Sequence, residues 1–353
     1  MTNMSIEIAP TKDLLGQTLA GGAYAGLKFC SREDAVRNVL RSFNIDVGET
    51  GMYLRQLEHI LAAPFMTEYA EVKFRSILPV SNEVPNGANS WTYRQTDEFG
   101  KAQLITDFSA DFPSVDVQGV EKTNAIKSFG TSYHYSIQEL RNSAFGGLPL
   151  ETMRATAAHR VMDRLFDQLA AVGNTSMGFS TGFANAAGIL TRTKGTQAVG
   201  TTWQDSNGNL QATPNEILDD VHGMCRKIFE TTIGLHQANE LLVGTKGYAL
   251  LASKPQSPAF TDQSLMSYIL RMSPWIKSIK HWAQLDTAGS GSKERILVHE
   301  KSPEVARVMI AQEFEQFPPL PVNLSFKVLC HARFAGVAVF KPAAICYMDG
   351  TEP

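Results

Sequence analysis

Cysteine is scarce in this chain of 353 residues. Cys30, Cys225, Cys330 and Cys346 lie far apart, with no CxxC pair and no histidine at finger spacing. That argues against a disulfide framework or a zinc ribbon and predicts buried free thiols in a reducing compartment. Charge of one sign is also missing: 32 Lys and Arg against 35 Asp and Glu leave a net charge of -3. Gripping nucleic acid needs clustered Lys and Arg, and no such cluster is present. Long hydrophobic runs are absent too. The most apolar late run, FAGVAVF, is far shorter than the ~20 residues of a membrane helix. The opening MTNMSIEIAPTKD has no basic flank followed by an apolar core, so no secretory signal is read there and a soluble cytoplasmic chain is expected. The eight histidines are scattered without an HExxH or another close ligand pair. His134 sits among aromatics and His159 on the polar side of a helix, so no metal is expected. Asp107, Asp111 and Asp116 do not match a calcium loop, which needs Gly at its sixth position and a late Glu; they read as solvated or interface carboxylates.

What is present is an ordinary globular composition, 43% hydrophobic and 19% charged, in a chain long enough for two domains. The stretch Val72 to Asp116 reads as a long two-stranded arm. SWTYRQTD alternates, with Trp91 and Tyr93 on one face and Thr92 and Arg94 on the other, and KAQLITDF follows after a turn at Gly100. Neither half can bury a face alone, and an isolated hairpin is marginal in water. Such an arm needs surfaces outside its own chain, and Trp91 and Tyr93 are read as its contact anchors.

Elsewhere the pattern alternates helix and strand. Met1 to Phe29 is Gly-rich and weakly patterned, suited to an extended arm. Ser31 reads as an N-cap for a helix with Ala35, Val36, Val39, Leu40 and Phe43 on one face, and Tyr53 to Leu61 as a second helix. Pro149 opens the longest helix, with Leu150, Met153, Ala157, Val161, Leu165, Leu169 and Val172 as its apolar stripe and Gly173 as its stop. Thr191 to Thr213 is a polar insertion. Thr213-Pro214-Asn215-Glu216 is a capping box launching a helix with Ile217, Leu218, Val221, Met224, Cys225 and Ile228 inward. A buried strand (ELLVG), two short helices and the strands IKHWAQL and ERILVHE follow. These suggest a compact α+β domain inserted in the chain. The final residues read as strands bent at Pro318, Pro319 and Pro321.

Two motifs carry apparent chemistry. Gly178-Phe179-Ser180-Thr181-Gly182 spells GxSxG, but the nucleophile elbow needs a buried strand before the serine and a helix after it. Neither is legible here. Ala288-Gly289-Ser290-Gly291-Ser292-Lys293 falls short of a phosphate loop, because the spacing is wrong and Glu294 stands where Ser or Thr would ligate magnesium.

The phrases WTYRQTDEFGKAQLITDFSADFPSVDV, SFGTSYHYSIQELRNSA, AAHRVMDRLFD, FEQFPPL and CHARFAGVAVFKP resemble the tailed-bacteriophage major capsid proteins of the Hong Kong 97-type fold, over about Leu54 to Tyr347. The resemblance implies an α+β fold divided into several parts. These are an N-terminal arm (1–50), a peripheral-domain helix (51–71), an extended hairpin loop (72–116), a peripheral domain with its spine helix (117–190), an axial domain with the polar insertion (191–301) and C-terminal strands returning to the peripheral domain (302–353). It implies no catalysis and no cofactor, but self-assembly as pentamers and hexamers into an icosahedral shell. That shell would surround double-stranded DNA without specific binding, be assembled in the host cytoplasm, and have scaffolding, portal and decoration proteins as further partners. The hairpin would lie over the adjacent subunit, with Trp91, Tyr93, Arg94, Asp97, Glu98 and Lys101 as contact residues. Some members weld their shells through Lys–Asn bonds. Lys101 stands near the tip, but nothing marks its Asn or a catalysing Glu, and it is read as a solvated lysine. The rivals are an encapsulin shell of the same fold and a serine hydrolase acting through Ser180.

Overall fold

A computed structural model describes residues 69–104, 113–147, 149–192, 202–204, 210–257 and 260–350. The two helices expected before residue 69, Cys30, most of the polar insertion, Asp107 and Asp111 lie outside the described residues. In chain order the elements are α1 (Phe74–Ile77), β1 (Val80–Ser81), β2 (Ser90–Phe99), β3 (Asp116–Ala125), β4 (Lys127–Ser136), α2 (Ile137–Gly146), α3 (Leu150–Ala171), β5 (Leu190–Thr191), α4 (Pro214–Thr231), β6 (Glu240–Val243), α5 (Thr245–Ser253), β7 (Pro255–Ser257), β8 (Phe260–Ser264), α6 (Leu265–Met272), β9 (Ser278–His281), β10 (Arg295–His299), β11 (Ala306–Gln316), β12 (Leu320–Val322), β13 (Ser325–Val339) and β14 (Ile345–Asp349).

Two sheets organise these elements. The first runs β1-β11-β13-β12, with β4 antiparallel to β13 from Lys127↔Phe334 to Ser136↔Ser325. The β11–β13 pair carries three register irregularities, which bend and twist so long a ladder. Pro321 sits in the short edge strand β12, where a missing N–H costs no central ladder bond. The second sheet runs β5-β14-β10-β6-β9. Its middle strands, Glu240–Val243 and Arg295–His299, are buried at every residue, as strands covered on both faces must be. The period of two splits their side chains. Leu242, Leu297 and Ile345 face a core shared with α3 and Trp282, whereas Leu241, Val243, Ile296, Val298, Cys346 and Met348 face α4.

The capping box at Thr213 forms as the sequence predicts. The Thr213 hydroxyl accepts from Glu216 N, the Glu216 carboxylate accepts from Thr213 N, and Pro214 occupies the first helical position. All six residues of its expected stripe are buried. An equivalent box at Ser136 and Glu139 starts α2. The long helix forms over Leu150–Ala171, but its core face is turned from the one the spacing suggested. Ala158, Met162, Phe166, Leu169 and Ala170 are buried, while Val161 is 50% exposed and Ala157 is exposed. The helix carries apolar residues on two adjacent stripes, and the aromatics decide between them. Phe166 stacks on Phe334 at 4.9 Å and meets Phe129 edge-on at 5.8 Å. Burying one such ring contributes about 2–3 kcal/mol, more than Val161 could return.

Three other expectations need correction. Val72 to Ser81 is no part of the arm, because Phe74, Ile77 and Leu78 are completely buried in the main core. IKHWAQL is a strand only to His281, after which Ala283–Thr287 forms a 3₁₀ turn. The final strand β14 joins the second sheet, pairing with β10 and β5, so the C-terminal segment spans both sheets.

Buried polar groups tie these layers together. Asp167, inside α3, accepts through Oδ1 from Lys73 N (3.1 Å), Phe74 N (3.0 Å) and Trp282 Nε1 (3.0 Å). It thereby caps α1 and fixes it to the helix and to the second sheet's flank. At the other end of α1 the Ser76 carbonyl accepts from both Lys280 Nζ (2.8 Å) and Lys301 Nζ. Arg295 grips both oxygens of Asp349 at 2.6 and 2.8 Å, reaches the Ala184 carbonyl, and lies 3.9 Å over the Tyr347 ring. Glu294, whose place excluded a phosphate loop, accepts from Gly247 N at 3.2 Å. Together with Asp286, which accepts from Thr245 N at 2.5 Å, it supplies acceptors to the first turn of α5.

Candidate assembly surfaces

The two-stranded arm is present, but its second strand is not KAQLITDF. β2 pairs with β3 over ten residues, from Ser90↔Ala125 to Phe99↔Asp116. This register sets Thr92 against Thr123, with hydroxyls 2.8 Å apart, and Arg94 against Glu121, at 2.8 Å. Such cross-strand pairs favour the pairing, and a turn at Gly100 would forgo them. Gly100 instead lies against the Val115 side chain, just beyond the last pair of the ladder.

One face of this ribbon grips its own subunit. Trp91 Nε1 donates to the Ala335 carbonyl (2.9 Å), the Tyr93 hydroxyl to the Val339 carbonyl (3.2 Å) and Gln95 Nε2 to the Phe340 carbonyl (2.5 Å). Trp91 stacks on Tyr93, which meets Phe340 edge-on at 5.0 Å. Burial pushes the Tyr93 phenol upward from its ordinary value. The two aromatics expected as anchors on a neighbour therefore have partners in their own chain. Beyond Gln95 the same face carries Val120 and Phe99, 63% and 51% exposed, with Asp97 and Asp116. Arg94, Asp97, Glu98 and Lys101 are all exposed. Gln95 and the β3 residues escaped the sequence reading. The first is a polar residue on a periodic face, and the others were passed over because KAQLITDF, nearer in sequence, offered itself as the second strand.

A second surface surrounds the N-terminal half of α3. Thr131, Tyr133 and His134 of β4 and Ala157 and Val161 of α3 line an open groove of about 420 Å³. Arg154 rims it, bonded to the His134 carbonyl and to Glu139 at 3.2 Å. That ion pair and the Ser136 N–H hold the Glu139 carboxyl below its ordinary range.

No nucleophile elbow exists at Ser180. A 3₁₀ turn precedes it and irregular chain follows, while Asn174 and Phe179 exchange backbone bonds at 2.7 and 3.0 Å. The glycines of GFSTG are structural. Gly178 has φ +85°, and a Cβ on Gly182 would stand 2.6 Å from the Ala171 carbonyl. Cys225, Cys330 and Cys346 are buried free thiols. Burial pushes the first up to about 12 and the last up to about 11. Among the described residues no group of three or more His, Cys, Asp and Glu could hold a metal ion, and no helix is long and apolar enough to cross a membrane.

A ribbon with an uncovered outer half on a two-sheet body is a geometry suited to a subunit that assembles with further copies. The family model described as "Major capsid protein" matches residues 100–351, and the chain belongs to that family. The capsid of Myoviridae phage XM1 aligns with a TM-score of 0.70 and 16% identity, over 84% of this chain and 97% of that one. A Mycobacterium phage Bobi structure aligns at 0.60 and 11%, over 87% and 98%. The capsid of a native GTA particle aligns at 0.58 and 14%, over 86% and 97%. Identities this low speak for the fold, which is that of the Hong Kong 97-like capsid proteins. No curated protein matches the sequence.

Proposed function

We propose that the chain is the repeating shell subunit of a tailed-phage head, forming pentamers and hexamers that close around double-stranded DNA. Family membership supports the capsid role, and the ribbon carries the assembly reading. Its inner half is bonded to its own sheet, while its outer half presents Phe99, Val117 and Val120 to solvent. Exposed apolar groups on a long projection are a cost for a free monomer and an asset once a neighbour covers them. In this reading the α3 body is the peripheral domain, and α4 with the second sheet is the axial domain. Arg94, Asp97, Glu98 and Lys101 of the outer ribbon meet the adjacent subunit. Trp91 and Tyr93 hold the ribbon at the angle that reaches it. The near-neutral composition suits a container that surrounds DNA without adhering to it.

The test is expression with and without the other head proteins, followed by sedimentation and electron microscopy. Closed shells of uniform size support the proposal, and nuclease-protected DNA inside those from infected cells separates a phage head from a compartment filled with protein cargo. A chain that stays monomeric under every assembly condition overturns it.

A further inference from the structure

The link between β1 and β2 contains the tight turn Pro85-Asn86-Gly87-Ala88, closed by a bond from Ala88 N to the Pro85 carbonyl at 3.1 Å. We infer that Asn86 is a site of spontaneous covalent modification, where the Gly87 backbone nitrogen attacks the Asn86 carboxamide and converts the residue to aspartate and isoaspartate. Asn86 and Gly87 are both exposed, so water and hydroxide reach them. Neither the Asn86 carboxamide nor the Gly87 N–H has a hydrogen-bond partner among the described residues. The electrophile is therefore free to turn, and the nucleophile's proton is open to base. Gly87 offers no side chain to shield its nitrogen, and a Cβ built there would meet nothing within 4 Å, so no packing holds the turn. The other described candidates are held. Asp349-Gly350 can close the same ring, but Arg295 grips both Asp349 oxygens and Gly350 N donates to the Glu294 carbonyl at 3.3 Å. Asn89 Oδ1 accepts from Arg333 Nη2 at 3.2 Å, and Ser90 after it enters the β2–β3 ladder. Asn207-Gly208 lies outside the described residues.

Hydroxide removes the Gly87 amide proton, and the nitrogen's electron pair forms a bond to Asn86 Cγ. The bond from Cγ to the side-chain nitrogen breaks, and that nitrogen leaves as ammonia with a proton from water. A five-membered succinimide remains, and water opens it. Attack at Cγ gives aspartate, whereas attack at the backbone carbonyl carbon gives isoaspartate, whose main chain runs through Cγ. In sum a carboxamide and a water become a carboxyl and an ammonia, with no oxidant or reductant. Isoaspartate lengthens the main chain by one methylene at the root of the ribbon. There the Ala88 carbonyl accepts from Arg333 Nη2 at 2.8 Å and the Asn89 carbonyl from Ile126 N at 2.9 Å, bonds that fix where β2 begins.

The experiment needs only the folded subunit, so it stands apart from the shell reading. Purified chain is held in mildly acidic and in alkaline buffer, and its peptides are mapped by mass spectrometry with fragmentation that separates isoaspartate from aspartate. The expected result is a gain of one mass unit at Asn86, faster in alkaline buffer, before any conversion at Asn89 or isomerisation at Asp349. Gly87→Ala places its methyl in open space at a φ outside the left-handed region, so it keeps the wild-type circular dichroism. It loses most of the conversion, because the methyl hinders the attacking nitrogen. Asn86→Gln, which would need a six-membered ring, is the second control and loses the conversion too. In aged wild type, hydrogen exchange rises at Ile126, whose N–H depends on the Asn89 carbonyl. Asn86 left intact while Asn89 or Asp349 converts overturns the inference, as does Gly87→Ala converting as fast as wild type.

Discussion

Replacing Asp167 is the sharpest probe of how the ribbon-bearing segment is fixed. Its Oδ1 accepts three hydrogen bonds at 3.0–3.1 Å, two from the first turn of α1 and one from the fully buried Trp282. Asp167→Ala leaves all three donors without their acceptor, and a buried orphan donor costs ~1–3 kcal/mol. Allowing water to reach the half-buried Lys73 N–H, the expected loss is about 3–5 kcal/mol. Asp167→Asn keeps an acceptor at Oδ1 and should cost on the order of 1 kcal/mol. The two differ further with pH. Burial raises the Asp167 carboxyl above 3.8, opposed by the bonds from Trp282, Lys73 and Phe74. Below 3.8 the group is protonated in both folded and unfolded chains, and no ionisation cost arises. As pH rises from 3.8 to the raised folded value, the unfolded chain ionises first and the cost of the buried charge accrues, staying constant above that value. The Asn variant carries no such cost, so it gains on the wild type as pH rises above 3.8. Urea unfolding of the unassembled subunit, followed by tryptophan emission, measures both effects. An Ala variant within about 1 kcal/mol of wild type would refute the clamp, and an Asn variant as weak as Ala would show that charge, not acceptance, matters.

Other outcomes follow from single residues. Burial, with Lys301 and Lys280 nearby, pushes His299 down from 6.5 to about 3, so its contribution is present above 6.5 and is lost as pH falls toward 3. His299→Leu should flatten that acid limb in a pH series of urea midpoints; an unchanged slope would place the sensitivity elsewhere. Ser180→Ala should leave stability and shell formation unaltered. Gly182→Ala should cost about 2–4 kcal/mol, because its methyl would meet the Ala171 backbone; equal effects on thermal unfolding would contradict the structural account of GFSTG. Trp91→Ala loses a stack and a bond to the Ala335 carbonyl, and should loosen the ribbon's base by roughly 3 kcal/mol. Hydrogen exchange should then rise at β2 and β3 and nowhere else.

Much of this architecture was legible in local chemistry. The Thr213 box, its six-residue stripe and the short buried strand ELLVG depend on neighbours in sequence, and each formed as read. The long helix was legible as a helix but not in its orientation, because two apolar stripes compete and only partners distant in sequence, Phe334 among them, choose. The partner of β2 was missed for the same reason. Arg94 and Glu121 lie across a tip that no periodicity spans. Asp167 leaves no mark in the local pattern, because its donors come from α1 and from Trp282, far away in sequence. The arm's position beyond its body was inferred from its poverty in apolar groups. That its base is anchored at home depended on Gln95 and on carbonyls at 335, 339 and 340, which leave no mark in sequence.

The central claim is that the outer ribbon serves other copies and not its own subunit. Removing residues 97–118 and joining Thr96 to Gly119 through a short Gly/Ser turn keeps Trp91, Tyr93 and Gln95 on their carbonyls and deletes the outer pairs from Asp97↔Gln118 to Phe99↔Asp116 with the chain that joins them. Electron microscopy of that variant beside wild type, with circular dichroism on both, is the direct measurement. The account predicts a wild-type fold, wild-type shells and no shells from the deletion; intact shells from the deletion would contradict it.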